Sequence, residues 1–272
     1  MKTVDIAFVI LTWNSESYLE GCLNSLVSSL HSSEMSFEIF IVDNGSADKT
    51  VELLKRIELL NNNIYVIYLS ENIGTTKSRN MALKKVSSRY ICILDSDIEI
   101  ENNIFPILIS TINSNNHIGI VVPRLCYPSG KWQKSVDQFP TLLHKLKRFF
   151  FLRRLEAKEG GDSSCVNEER LVDYAISAFW LIKREAFEAV GLLDENYFYA
   201  PEDVDYCLSM WKAGYGIVYQ PQVKVIHHTQ EISRGFKLNK AKLEHIKGLA
   251  YFFYKHFYFF RKPKFFNFDF KQ

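Results

Sequence analysis

The 272-residue sequence predicts an α/β fold, with a mostly parallel central sheet flanked by helices on both faces. Continuous apolar runs rich in β-favouring residues recur at Val4 to Leu11, Phe37 to Val42, Ile64 to Leu69 and Tyr90 to Leu94, the pattern of strands buried on both faces. Between them apolar residues return at helical spacing, which implies strand-helix units with right-handed crossovers. Polar and acidic residues stand where the runs end, and an open α/β sheet places its ligand crevice at the carboxyl ends of its strands.

Each element follows from its own pattern. After the first strand come Thr12, Trp13 and Asn14, then a helix carrying Leu19, Cys22, Leu23, Leu26 and Leu30 on one face. Asn14 reads either as a ligand contact or as an ordinary helix cap. The second strand ends in Asp43-Asn44-Gly45-Ser46, and Val51, Leu54 and Ile57 line the next helix. The third leads into Asn72-Ile73-Gly74, where glycine lets backbone come close to a ligand, with Arg79 one turn into the following helix. The fourth ends in Asp95-Ser96-Asp97, whose paired carboxylates suit Mg²⁺ or Mn²⁺ carrying phosphates, although Asp-x-Asp alone is also a common turn. A helix over Asn102 to Ile112 and a fifth strand over Ile118 to Val122 complete the regular part. From 128 to 170 the alternation stops. This stretch, with Gly130, Pro140, Gly160, Gly161 and the basic aromatic run His144 to Arg154, reads as a flexible insertion beside the site.

Composition narrows the class. With 47% hydrophobic and 14% aromatic residues the chain can bury a full core, and a formal charge of +2 argues against nucleic-acid binding through a basic face. Five cysteines without Cys-x-x-Cys spacing read as reduced thiols in a cytoplasmic protein. A signal peptide is not expected, because Asp5 interrupts the first apolar run, and no run is long enough to span a bilayer.

From Val172 to His228 the sequence reads Val172-Asp173, an apolar strand through Ile182, Arg184, then Val190-Gly191-Leu192-Leu193-Asp194-Glu195, Pro201-Glu202-Asp203-Val204-Asp205, Gly214-Tyr215 and Val225-Ile226-His227-His228. With the four N-terminal loops in the same order, the stretch from Val4 to Ser233 resembles the inverting, GT-A-fold glycosyltransferases of family 2, in particular their rhamnosyltransferase-like, non-processive members. The Gln-x-x-Arg-Trp motif of the processive members does not occur. The resemblance implies a Rossmann-like nucleotide-binding half, a catalytic domain over 1–233 and transfer of one sugar from a nucleotide-diphosphate donor of UDP or dTDP type to a glycan or lipid-linked acceptor in cell-surface polysaccharide synthesis. Carried over by position, it makes Thr12, Asn14, Asp43, Asn72, Gly74, Arg79, Asp95 and Ser96 nucleotide contacts, Asp97 a metal ligand and Glu202-Asp203 the catalytic acids, with Asp203 the base. One of His227 and His228 completes the metal site. They lie on opposite faces of a strand, and the spacing to Ser233 leans to His228. Ser177 and Ser209 depart from the family's usual Gly and Arg, which puts substrate preference in doubt.

Residues 234–272 read as a basic, aromatic helical extension, with Lys255, Arg261, Lys262 and Lys264 among Phe252, Phe253, Phe257 and Phe260. It suits either the surface of an anionic membrane or packing against the catalytic domain. A nucleotide-sugar-binding scaffold with a degenerate site is the competing function. A nucleotidyltransferase and a dinucleotide-dependent oxidoreductase both fail, because neither a basic Gly-rich loop nor Gly-x-Gly-x-x-Gly follows the first strand.

Overall fold

A computed structural model of the chain describes residues 4–30, 35–142, 167–229 and 240–265. The four leading strands, β1 (Val4–Thr12), β2 (Phe37–Asp43), β3 (Ile64–Tyr68) and β4 (Ser88–Asp95), are parallel and lie in the order β3-β2-β1-β4. Alternation along them builds two cores. Ile6, Phe8 and Ile10 face one side, against α1 (Leu19–Leu30), α2 (Thr50–Leu60) and α4 (Phe105–Asn113). Ala7 and Val9 face the other, against α3 (Thr75–Leu83), α5 (Arg184–Val190) and α6 (Glu202–Lys212). Each fully buried Leu, Ile or Phe in these layers contributes about 1.5–3 kcal/mol relative to exposure, and that sandwiching explains why the strands are apolar on both sides.

Beyond β4 the sheet is mixed, with one further parallel pair among antiparallel ones. β10 (Phe179–Lys183) runs antiparallel between β4 and β6 (Ile118–Cys126), and β11 (Gly216–His227) lies parallel to β6. The short strands β5 (Ile98–Glu99) and β8 (Arg170–Val172) pair antiparallel with β11. The reversal arises because the chain leaves the sheet after β6. It forms a small hairpin-like pair from β7 (Val136–Asp137) and β9 (Tyr174–Ala175), then re-enters beside β4 across Ile176 to Ala178.

Within the expected insertion, residues 132–140 are partly packed into the fold, whereas 128–131 are exposed. Val136 and Phe139 are buried, and Trp132 bridges to Cys126. The basic aromatic run His144 to Arg154 and Gly160-Gly161 lie outside the described residues, as does 230–239. The C-terminal helix, α7 (Lys240–His256), buries Phe252 and Phe253 in the same core as α6. Packing against the catalytic domain therefore accounts for this face of the extension.

Candidate active site

Three loops after β1, β2 and β3 are tied together by asparagines. Asn14, at φ 52°, accepts from Ala47 N (2.8 Å), and its own N–H donates to Ser46 Oγ (2.8 Å). It does not cap α1, which begins five residues later. Asn44 Oδ1 accepts from Ile73 N (3.0 Å) and Ser78 Oγ (2.8 Å), while its amide donates to Asn72 Oδ1 (3.1 Å). Asn72 also accepts from Gly74 N (3.0 Å). At Gly74, with φ 94°, a Cβ would meet the Phe198 carbonyl oxygen at 2.6 Å, so the close approach requires glycine. Asn14, Asn72 and Gly74 thus fix the shape of the loops at the carboxyl ends of β1, β2 and β3.

Beneath these loops, Thr12 and Asp43 are register partners at the ends of β1 and β2, and both are buried. Asp43 Oδ2 accepts from Ser46 N at 3.2 Å, whereas Oδ1 and Thr12 Oγ1 have no protein partner. Buried polar atoms left this way are costly unless something else satisfies them. Their place at strand ends fits a ligand that both donates and accepts hydrogen bonds, as a nucleobase does.

Arg79 organises the centre of the site. It is 2% exposed and projects from α3 between two carboxylates, with Nη2 2.5 Å from Asp95 Oδ1 and Nη1 3.8 Å from Glu202 Oε1. Nη1 also donates to Ser177 Oγ (2.7 Å), whose hydroxyl in turn donates to Glu202 Oε1 (3.2 Å). Burial pushes the Asp95 and Glu202 carboxyls upward, with the Arg79 charge opposing the shift in both. Ser177, a departure from the usual family residue, is therefore a working member of the Arg79–Glu202 chain. Ser209, the other departure, donates to the Asp205 carbonyl one turn back (3.0 Å).

At the next strand end, Asp95, Asp97 and His227 each present a ligand atom, all within 4.8 Å of one another. His227 Nε2 lies 3.2 Å from Asp97 Oδ1, and Nδ1 lies 2.9 Å from the Gln133 side-chain oxygen. A proton on Nδ1 donated to Gln133 leaves Nε2 as the ligating nitrogen. Burial lowers the His227 pKa, but the hydrogen bond and charge of Asp97 outweigh it, and the net shift is upward. His228, the histidine favoured by spacing, stands apart from this group. Its ring sits against Tyr18 and reaches Glu99 Oε2 at 2.8 Å, because alternation along β11 turns it to the opposite face from His227. Ser96 is likewise turned away: its hydroxyl is buried and donates to Ser15 Oγ (2.9 Å).

A cavity of about 700 Å³ joins these parts. Arg79, Asp95 and His227 line one side, and Glu202, Asp203 and Tyr199 come from α6 and the loop before it. Asp97 is outside the lining but contacts His227, which is part of it; Thr12 follows Leu11 of the lining along β1, and Asp43 is the register partner of Thr12 on β2. Asp205, the third acid of α6, is on another face of the helix and bonds Tyr197, Lys255 and His256 instead. Of Asp203 and Asp205, then, it is Asp203 that lines the cavity, beside Glu202, whose carboxylate is engaged by Arg79 and Ser177. Sequence reasoning missed Gln133, Asn44 and Tyr199. Asn44 lay inside a quoted motif, but Gln133 and Tyr199 had no local signal. Burial and the surrounding carboxylates push the Tyr199 hydroxyl up to about 12, which keeps it a hydrogen-bond donor.

The family described as "Glycosyl transferase family 2" matches residues 7–191. Among curated proteins, a putative teichuronic acid biosynthesis glycosyltransferase, TuaG, from Bacillus subtilis is 34% identical over 92 residues, 34% of this chain and 35% of that one. An N-acetylglucosaminyl-diphospho-decaprenol L-rhamnosyltransferase from Mycobacterium tuberculosis is 25% identical over 236 residues, 81% of this chain and 75% of that one. Among solved structures, GalNAc-T7 with UDP, GalNAc and Mn²⁺ has a TM-score of 0.68 at 17% identity, over 93% of this chain and 48% of that one. The mixed sheet with helices on both faces is thus the expected GT-A fold, and the chain belongs to glycosyl transferase family 2.

Proposed function

We propose that the chain moves one sugar from a nucleotide-diphosphate donor of UDP or dTDP type to a hydroxyl of a glycan or lipid-linked acceptor, with inversion, in cell-surface polysaccharide synthesis. One observation carries the reading: a single cavity is lined both by Asp95 and His227 of the cation-ligand set and by the α6 acid Asp203. Asp43 and Thr12 take the base, their unsatisfied oxygens meeting its donors and acceptors. Arg79 holds Asp95 in position for the ribose and diphosphate.

Asp97, His227 and Asp95 have the hard-oxygen and imidazole chemistry that suits Mg²⁺ or Mn²⁺, and such an ion stabilises the negative charge of a leaving diphosphate as a Lewis acid. Asp203 accepts the proton of the acceptor hydroxyl while its oxygen bonds the anomeric carbon. The bond from that carbon to the diphosphate breaks, and its electron pair leaves with the nucleotide. Glu202, clasped by Arg79 and Ser177, orients the first turn of α6 and takes no proton from the acceptor.

A membrane partner belongs to the same proposal. No helix among the described residues is long and apolar enough to cross a bilayer. On α7, however, Leu243, Ile246 and Tyr254 are exposed at helical spacing, exposed Phe257 follows its end, and Ile246 also lines the cavity. Arg261, Lys262 and Lys264 follow. Apolar and cationic side chains together suit an anionic bilayer on the cytoplasmic side, which would present a lipid-linked acceptor at the cavity mouth.

The experiment is a thermal-shift and hydrolysis panel of UDP-, dTDP- and GDP-sugars with and without Mn²⁺ or Mg²⁺. The preferred donor stabilises the fold by an amount that grows with its concentration over Kd. No stabilisation by any nucleotide sugar would reject the proposal. Stabilisation without turnover would favour the binding-only alternative.

A further inference from the structure

We infer that α7 forms the acceptor-side wall of the cavity and that Asp205 is the positioning residue that holds it there. This deepens the glycosyltransferase reading and rests on it. His245 and Ile246 are the α7 residues in the cavity lining, alongside Asp203, Tyr199 and Ala200. An acceptor hydroxyl must reach the base, so side chains flanking Asp203 border the acceptor and not the nucleotide, whose contacts lie at the ends of β1, β2 and β4.

Two features fix the helix in this place. The first is a buried polar clamp. Asp205 is 4% exposed, and its two oxygens take Lys255 Nζ (2.8 Å), His256 Nε2 (2.8 Å) and Tyr197 Oη (2.9 Å). Lys255 also donates to Asp194 Oδ2 (2.7 Å), and Lys212 Nζ lies 2.7 Å from His256 Nδ1. Because Asp205 and Asp203 share the first turn of α6, the clamp ties the base's own helix to the wall. The second is close packing at Gly248. A Cβ there would stand 2.7 Å from the Ala200 carbonyl oxygen and 3.0 Å from Pro201, on the loop that leads directly into Glu202 and Asp203. Neither Asp205 nor Gly248 lines the cavity, so both act only through the helix.

The test uses the full chain with Asp205→Asn, Lys255→Met and Gly248→Val, and Lys255→Arg as the conservative control. Four properties are read: the Kd for UDP with Mn²⁺, hydrogen exchange of α7, release of UDP from the preferred UDP-sugar in water, and stimulation of that release by n-octyl glycosides. The three disruptive variants should keep UDP affinity within about twofold while losing protection over 245–256. They should either raise the KM for the octyl glycoside about tenfold or, where water is the only acceptor turned over, change that background rate several-fold. Lys255→Arg should stay near wild type. The inference fails if α7 protection and turnover are both unchanged, or if UDP affinity falls in parallel, which would make the clamp a support of the whole fold. A wild-type chain that binds no nucleotide would overturn the function and this inference with it, whereas normal UDP binding with an indifferent α7 overturns the inference alone.

Discussion

The two halves of the site are built by different means. On the side proposed for the nucleotide, Thr12, Asp43, Asn72 and Asp95 sit at or just past the ends of parallel strands, each within a regular βα unit. On the transfer side, Ser177, Asp203, His227 and His245 come from an antiparallel insertion, a helix N-terminus, the end of a long strand and the C-terminal helix. The first half is assembled by local geometry, the second by contacts between residues as far as 130 positions apart, such as Asp97 with His227. Binding and chemistry should therefore separate under mutation. The acids of the first half should set affinity, and those of the second should set turnover.

Asp203→Asn breaks the comparison most severely if it is wrong. Loss of a positioned base typically costs about 10²–10⁴ in rate, or roughly 3–5 kcal/mol of barrier. The amide is isosteric, so UDP affinity and melting temperature should stay near wild type. A variant that loses UDP affinity along with turnover would show that Asp203 belongs to the nucleotide side.

Arg79→Met probes the joint between the halves, since this guanidinium alone touches both Asp95 and Glu202. Removing one partner of a buried pair costs about 3–5 kcal/mol, because the remaining charge is left uncompensated. Partial exposure of Asp95 places the expected loss toward the lower figure. Denaturant unfolding should show it, with both affinity and turnover reduced. An unchanged midpoint would mean that the two carboxylates are held by something else.

The sequence exposed the halves unequally for the same physical reason. Asp43, Asp95 and Asp97 follow runs whose apolar character already marks strand ends, so local pattern locates them. Asp203 needed a motif, because two acids at i and i+2 on a helix point apart and pattern alone does not choose between them. His227 and His228 were known to face opposite ways, but the choice depends on Gln133 and Asp97 lying on one side of β11 and Glu99 on the other. Gln133 sits in a stretch without periodicity, and His245 lies on a helix remote in sequence from every quoted motif. The antiparallel course of β10 was equally hidden: an apolar run gives a strand, not its direction.

Asp43→Asn sharpens the nucleotide side. Its unsatisfied Oδ1 is the atom expected to accept from the base, and exchanging an acceptor for an amide at a buried position costs about 1–3 kcal/mol. UDP affinity measured by calorimetry should fall about 5- to 150-fold, with kcat at saturating donor changing little. A fall in kcat with unchanged affinity would contradict the division of labour.

The smallest effect concerns pH and the docking of α7. Burial raises the Asp194 carboxyl, but hydrogen bonds from Lys255 and Asn196 outweigh it and leave it below the ordinary 3.8. Burial lowers the Lys255 amine, but bonds to Asp194 and Asp205 outweigh it and leave it above 10.5. A depressed acid stabilises the docked helix fully above its unfolded pKa and loses that contribution as pH falls through the folded value. A raised amine does the reverse, contributing fully below its unfolded pKa and fading as pH rises through the folded one. Protection of α7 against hydrogen exchange should therefore be flat across neutral pH and decline below about pH 4, after correction for the intrinsic exchange rate. Asp194→Asn should flatten that acid decline while leaving the strand amides of β1 and β4 unaffected. If those strands lose protection together with α7, the helix is no separate wall, and the transfer side unfolds with the nucleotide side as one unit.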